Sequence, residues 1–117
     1  MTNDDKNAVP HGALVLMILR TLDSMGPLHG YGLARRIEQI SRDMLALNQG
    51  TIYPVLMRLE QESKVSTNWG ISENNRRAKY YAITREGKRY LDSEVREWAR
   101  ITALVGRFMD LEKASSS

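Results

Sequence analysis

Residues 48–62 read NQGTIYPVLMRLEQE, and residues 74–84, beyond a short interval, read NNRRAKYYAIT. The order of these two segments decides the fold. Ile52, Val55, Leu56 and Leu59 fall at i, i+3, i+4 and i+7, so the first segment is a helix with one buried side. Thr51, Tyr53, Met57, Arg58 and Gln61 are turned elsewhere. Hydroxyl, amide and guanidinium groups are the types that reach phosphates and base edges. Two alternating stretches follow, Val65 to Trp69 and Lys79 to Thr84, which predict strands joined across Gly70 to Ala78. That connection looks too long for a tight hairpin. A helix with a polar edge followed by a strand, a basic turn and a returning strand is the plan of a winged helix-turn-helix.

The start of the decisive helix stays open at this level. Proline is accepted in a first helical turn and clashes deeper in a helix. Pro54 therefore allows two starts: Thr51 caps a helix beginning at Ile52, or Asn48 caps a longer one kinked over Gly50.

Upstream, Leu14, Met17, Ile18 and Leu22 mark a first helix, stopped by the Ser24-Met25-Gly26-Pro27 run. A second helix is expected from about Tyr31 to Ser41, with Leu33, Ala34, Ile37 and Ile40 inward and Arg35, Arg36, Glu38 and Gln39 outward. Downstream, Thr84 is placed to cap a helix that runs to about Leu111 with Glu86 in its first turn. Some 27 residues make a rod of roughly 40 Å, longer than the domain it leaves. Its apolar stripe of Leu91, Val95, Trp98, Val105 and Met109, interrupted by Thr102, lies beside a second one of Ile101, Leu104, Phe108 and Leu111. So wide an apolar face on a projecting helix calls for a second copy of the chain.

The expected organisation is a polar tail at 1–9, a winged helix-turn-helix domain at 10–84, a dimerisation helix at 85–112 and a short tail at 113–117. The fold class is mainly α with a small β-hairpin.

Composition excludes several classes of function. The chain has 117 residues, 42% hydrophobic and 26% charged, and a formal net charge of +3. That is one domain's worth of core. With two Trp, five Tyr and one Phe, the core must be largely aliphatic, which suits packed helices. No apolar run is long enough for a membrane span, and the acidic start is no signal peptide, so a cytoplasmic protein is expected. Zero cysteines remove disulfides, thiol catalysis and cysteine-held zinc, and the two histidines, His11 and His29, stand too far apart for a metal site. Neither a metal nor any other cofactor is expected. No catalytic triad, paired carboxylates or phosphate loop is present, so the chain is not expected to be an enzyme.

Charge is distributed unevenly. Arg76, Arg77, Lys79, Arg85, Lys88 and Arg89 stand against the single acid Glu86 in that stretch, an electrostatic footprint for a polyanion. Arg35 on the second helix and Asn48 and Gln49 at the head of the third add further groups for a DNA surface. Trp98, with Val95, Thr102 and Val105 beside it, offers a stacking surface for a planar ligand if it is not plain dimer core.

Three segments together carry a family resemblance: 28–34 LHGYGLA, 50–60 GTIYPVLMRLE and 77–87 RAKYYAITREG. In this order and at these distances they resemble the PadR-like transcriptional regulators over about residues 12–111, and the single C-terminal helix is similar to the short branch of that family. The resemblance implies a homodimeric repressor that binds double-stranded DNA and is often released by a small aromatic effector. It implies Thr51, Tyr53 and Arg58 at the DNA face and Arg76, Arg77 and Lys79 in the wing, while the apolar stripes of the last helix put Leu91, Val95, Trp98, Ile101, Val105, Phe108 and Met109 in the expected dimer interface. It also places Tyr31 near the helix that contacts the DNA backbone. One departure stands out: Ser63 occupies a position where the family usually has the glycine of a left-handed helix cap. The alternative to DNA binding is a winged helix used for protein contact.

Overall fold

The computed structural model describes residues 9–113; the expected N-terminal tail, save Val9, and the C-terminal tail beyond Lys113 lie outside the described residues. The elements run α1 (His11–Met25), β1 (Leu28–His29), α2 (Gly30–Ile40), α3 (Gln49–Gln61), β2 (Val65–Ile71), β3 (Arg77–Ile83) and α4 (Arg85–Met109). The sheet is antiparallel with order β1-β3-β2. This is the expected class, with one strand more than the hairpin.

The core forms where the aliphatic stripes meet. Leu14, Val15, Ile18, Leu19 and Leu22 of α1 pack with Leu33 and Ile37 of α2 and with Ile52, Val55, Leu56 and Leu59 of α3, all buried. Val65 and Tyr81 close it from the sheet. Thr21, buried among them, satisfies its hydroxyl by donating to the Met17 carbonyl at 2.7 Å. Gly26, at φ 84, ends α1 in a conformation that only glycine adopts freely.

Four expectations need correction. Ile40 is exposed, because α2 ends at that residue and Ser41 already caps it. Leu91 is 1% exposed in the single chain and so belongs to its core, leaving nothing to offer the expected dimer interface. The first turns of α4 lie along α1, and the apolar stripe serves this internal contact before it serves any external one. The strands are longer than the alternation suggested, and the connection is short. Ser72 N–H donates to the Arg76 carbonyl at 2.8 Å and Asn75 N–H to the Ser72 carbonyl at 2.8 Å, with Asn75 at φ 61, a region that asparagine tolerates. Finally, β1 joins the sheet through Leu28↔Tyr81 and His29↔Tyr80.

Helix α4 is continuous through Gly106 and leaves the domain. The molecule measures 70 × 35 × 21 Å with a radius of gyration of 17.6 Å, against about 13 Å for a compact chain of this length. No described helix is long and apolar enough to cross a membrane.

The corner between α3 and β2 shows what the serine at position 63 does. Lys64 N–H bonds to the Leu59 carbonyl at 2.9 Å and Ser63 N–H to the Glu60 carbonyl at 3.0 Å. That is the paired closure of a left-handed cap, and Ser63 takes it at φ 62. A side chain there costs on the order of 1 kcal/mol. Ser63→Gly should therefore stabilise the protein by about 1 kcal/mol, read as a higher urea midpoint at unchanged slope. A variant no more stable than the parent would show that the strain is offset locally.

Candidate nucleic-acid interface

Helix α3 begins at the earlier of its two possible starts. Asn48 is its cap: Oδ1 accepts from the Thr51 N–H at 3.0 Å and from the Thr51 hydroxyl at 3.1 Å. Pro54 sits inside the helix, so the carbonyl of exposed Gly50 lacks its usual donor. Asn48 and Thr51 are exposed but engaged with each other, which fixes the helix head. Gln49 beside them is free to reach outward.

The exposed part of α3 has two edges with different neighbours. On one, Tyr53 lies across Gly30 at the head of α2; a Cβ on that glycine would stand 2.6 Å from Tyr53 Cζ. Glu60, further along this edge, accepts from the Thr67 hydroxyl at 3.0 Å and pairs with Lys79 Nζ at 3.4 Å. The Tyr81 hydroxyl is pushed above its usual pKa by burial, then by Tyr53 and Glu60 close by. This edge joins the reading helix to the wing. On the other edge, Arg58 borders a shallow hollow with His11, Pro54 and Val55. Glu62, its possible i+4 partner, bonds instead to Lys64 at 2.9 Å, which holds the Glu62 carboxyl below its ordinary pKa. Arg58 forms no ion pair among the described residues.

Helix α2 is anchored at both ends. The His29 Nδ1 accepts from the Gly32 N–H at 2.9 Å and so caps the helix start. Tyr31, exposed on the first turn, stacks on His29 with centroids 6.5 Å apart. At the other end Glu38 accepts from the Leu47 N–H at 2.8 Å, tying down the connection into α3. Arg35 stands 3.6 Å from Glu38 but stays largely exposed, and such a pair is worth only tenths of a kcal/mol.

At the wing, Arg76 and Arg77 are exposed and neither forms an ion pair among the described residues. Arg77 lies over the Trp69 ring at 4.7 Å from the centroid. Lys79 differs from its neighbours, since Glu60 already neutralises it. Sequence reasoning assigns Trp69 no role beyond its strand; the signal for one is an alternation that continues as Trp69 and Ile71 past the length the core can cover.

The groups expected on α4 separate. Val95 and Trp98 border an open, mainly apolar groove of about 670 Å³ between α1, the end of α2 and α4, floored by Met17, Ile37 and Leu91. Thr102 and Val105 lie beyond it, exposed on the projecting part of the helix. No group of three or more potential metal ligands occurs among the described residues.

Comparison with known proteins agrees with this geometry. The model of the transcriptional regulator PadR-like family matches residues 18–93. The solved structure of a transcriptional regulator from Clostridium thermocellum superposes with a TM-score of 0.74 at 27% identity, covering 83% of this chain and 93% of that one. A PadR-like transcriptional regulator from Bacillus cereus gives 0.74 at 26% identity, with 86% and 95% covered. The transcriptional regulator YqjI of Escherichia coli is 34% identical over 82 residues, which are 70% of this chain and 37% of that protein. With a reading helix, a basic wing and a projecting C-terminal helix in the family's order, the chain belongs to the PadR-like family of transcriptional regulators and is a DNA-binding regulator rather than an enzyme.

Proposed function

We propose that the protein is a homodimeric repressor that binds a palindromic operator. Its two α3 helices enter successive major grooves about 34 Å apart, and the wings lie along phosphate or minor groove. The observation that carries this reading is the pair Arg76 and Arg77: two guanidiniums with no carboxylate partner among the described residues, on a wing that Glu60 and Lys79 lock to the reading helix. Tyr53, Arg58 and Gln49 supply contacts from α3, and Arg35 supplies one from α2. Asn48 and Thr51 hold the helix head at the groove, and Lys79 serves mainly to set the angle of the wing. The working compartment is the cytoplasm, where the DNA is.

The groove beside Val95 and Trp98 suits a small planar, apolar effector; Thr102 and Val105, beyond it on the projecting part of α4, would reach such a ligand only across the dimer seam. Such a ligand would change how the two α4 helices cross and hence the spacing of the reading heads. Binding that saturates the protein and leaves operator affinity unaltered would remove this coupling.

The test is a pull-down of genomic DNA fragments on the purified protein, sequenced, and repeated with Arg76→Ala/Arg77→Ala. The parent should enrich a palindromic site and the double variant should not. On that site the affinity should fall steeply with salt, and the double variant should lower the slope by roughly 4, about one for each phosphate that the two protomers no longer neutralise. A folded dimer that enriches nothing, or a flat salt response, would favour a protein-contact module instead.

A further inference from the structure

Residues directly opposite one another in an antiparallel pair share a face of the sheet. Val65, Thr67, Trp69 and Ile71 therefore lie on one face with Ile83, Tyr81, Lys79 and Arg77. At its base this face is the core, with Val65 and Tyr81 buried. Midway it meets α3 through Glu60. Beyond α3 it emerges as Trp69 and Ile71, 61% and 65% exposed. So the wing's inner face, the one turned to the reading helix, ends in an apolar surface with a guanidinium laid on it.

An indole and an isoleucine side by side on an edge strand are costly to leave wet. They suit a partner that offers carbon and negative charge together. The apolar face of α4 already provides a separate surface for self-association. A DNA duplex provides deoxyribose carbons beside phosphates, at the place where a wing flanking α3 must run.

We propose that Trp69 is a DNA-contacting residue. Its indole lies against the deoxyribose wall of the groove next to the one α3 enters, with Ile71 beside it and Arg77 stacked on it to meet the adjoining phosphate. The proposal rests on the DNA-binding reading above and adds to it an apolar contact that phosphate neutralisation does not supply.

The test uses the full chain labelled with 5-fluorotryptophan, which gives one ¹⁹F resonance for each of the two tryptophans; Trp69→Phe assigns them. A short duplex cut from the most enriched genomic fragment is added, and its binding is followed independently by fluorescence anisotropy. The Trp69 resonance should shift on binding. Trp69→Ala should weaken binding by about tenfold at unchanged salt slope, Trp69→Phe should recover most of the loss, and Arg77→Ala should lower the slope by about two, one for each protomer. Ile71→Ser, which keeps the ring, should give a smaller loss. A bound duplex with an unmoved Trp69 resonance and undiminished affinity of Trp69→Ala would overturn the proposal while leaving the DNA-binding reading intact. A Trp69→Ala loss that lowers the salt slope as Arg77→Ala does would reduce the ring to a support for Arg77 and overturn direct contact. No binding of the duplex by the parent protein would overturn both.

Discussion

Ile101→Glu combined with Phe108→Glu should turn the protein into a monomer at micromolar concentration and lower operator affinity by more than a thousandfold. Val95, Trp98, Ile101, Leu104, Val105, Phe108 and Met109 all stand on one helix, between 38% and 73% exposed in the single chain. Burying a large apolar side chain contributes about 1.5 to 3 kcal/mol. What is still exposed of seven such side chains from each protomer is enough, if buried, to offset the roughly 4 to 15 kcal/mol that association costs, which supports the proposed dimer. The double variant would bury four unpaired carboxylates in that seam, each opposed by a penalty of several kcal/mol. The dimer would come apart and the winged domain would remain folded, since Ile101 and Phe108 are exposed and take no part in its core. On the proposed palindrome a monomer would bind one half-site, losing the second reading head and its effective concentration. Sedimentation velocity and anisotropy on the enriched site measure the two effects. A variant that still sediments as a dimer would place the interface elsewhere.

Leu91 shows where periodicity stops being informative. It continues the same stripe as Val95 and Trp98, yet it is sealed inside its own domain while they are open. A hydrophobic period says which face of a helix is covered and is silent on which partner covers it. Lys79 presents the same limit in charge. Its residue type and place in a basic run suit phosphate and give no sign of Glu60, nineteen residues earlier in the chain, which pairs with it, because an ion pair between elements has no sequence period. The reading helix was legible because Ile52, Val55, Leu56 and Leu59 all face one way, and α4 because its length exceeds the domain. Strand β1 was not legible: Leu28 and His29 have too few residues for any period, and their extended conformation comes from pairing with Tyr81 and Tyr80. The choice between Asn48 and Thr51 as cap was balanced in the sequence. It is decided by Asn48 Oδ1, which accepts two hydrogen bonds from Thr51 that a later start would not make.

How α4 is held to the winged domain leads to the largest expected loss of stability. Thr84 caps α4 by accepting from the Gly87 N–H at 2.9 Å, and its hydroxyl donates to the Ser63 carbonyl at 2.6 Å. Its own N–H donates to the Lys64 carbonyl at 3.1 Å. Gly87 then brings the first turn of α4 directly onto that same Lys64 peptide. A Cβ on Gly87 would collide with the Lys64 carbonyl oxygen and stand 3.0 Å from its carbon and 2.9 Å from Ile83 Cγ1. The obstacle is backbone, which cannot swing aside as a side chain would. Gly87→Ala must therefore push α4 off the corner, adding an overpacking cost of about 1 to 3 kcal/mol to a weakened cap of about 1. A loss of about 3 kcal/mol is expected, or on the order of 10 to 20 °C in Tm. Because the displaced helix would also space the reading heads in the proposed dimer, surviving folded protein should bind the proposed palindrome more weakly than a single half-site change would explain. Thermal unfolding that moves by less than about 1 kcal/mol equivalent would mean that α4 can shift without cost, and the wing corner would then be a hinge rather than a fixed joint.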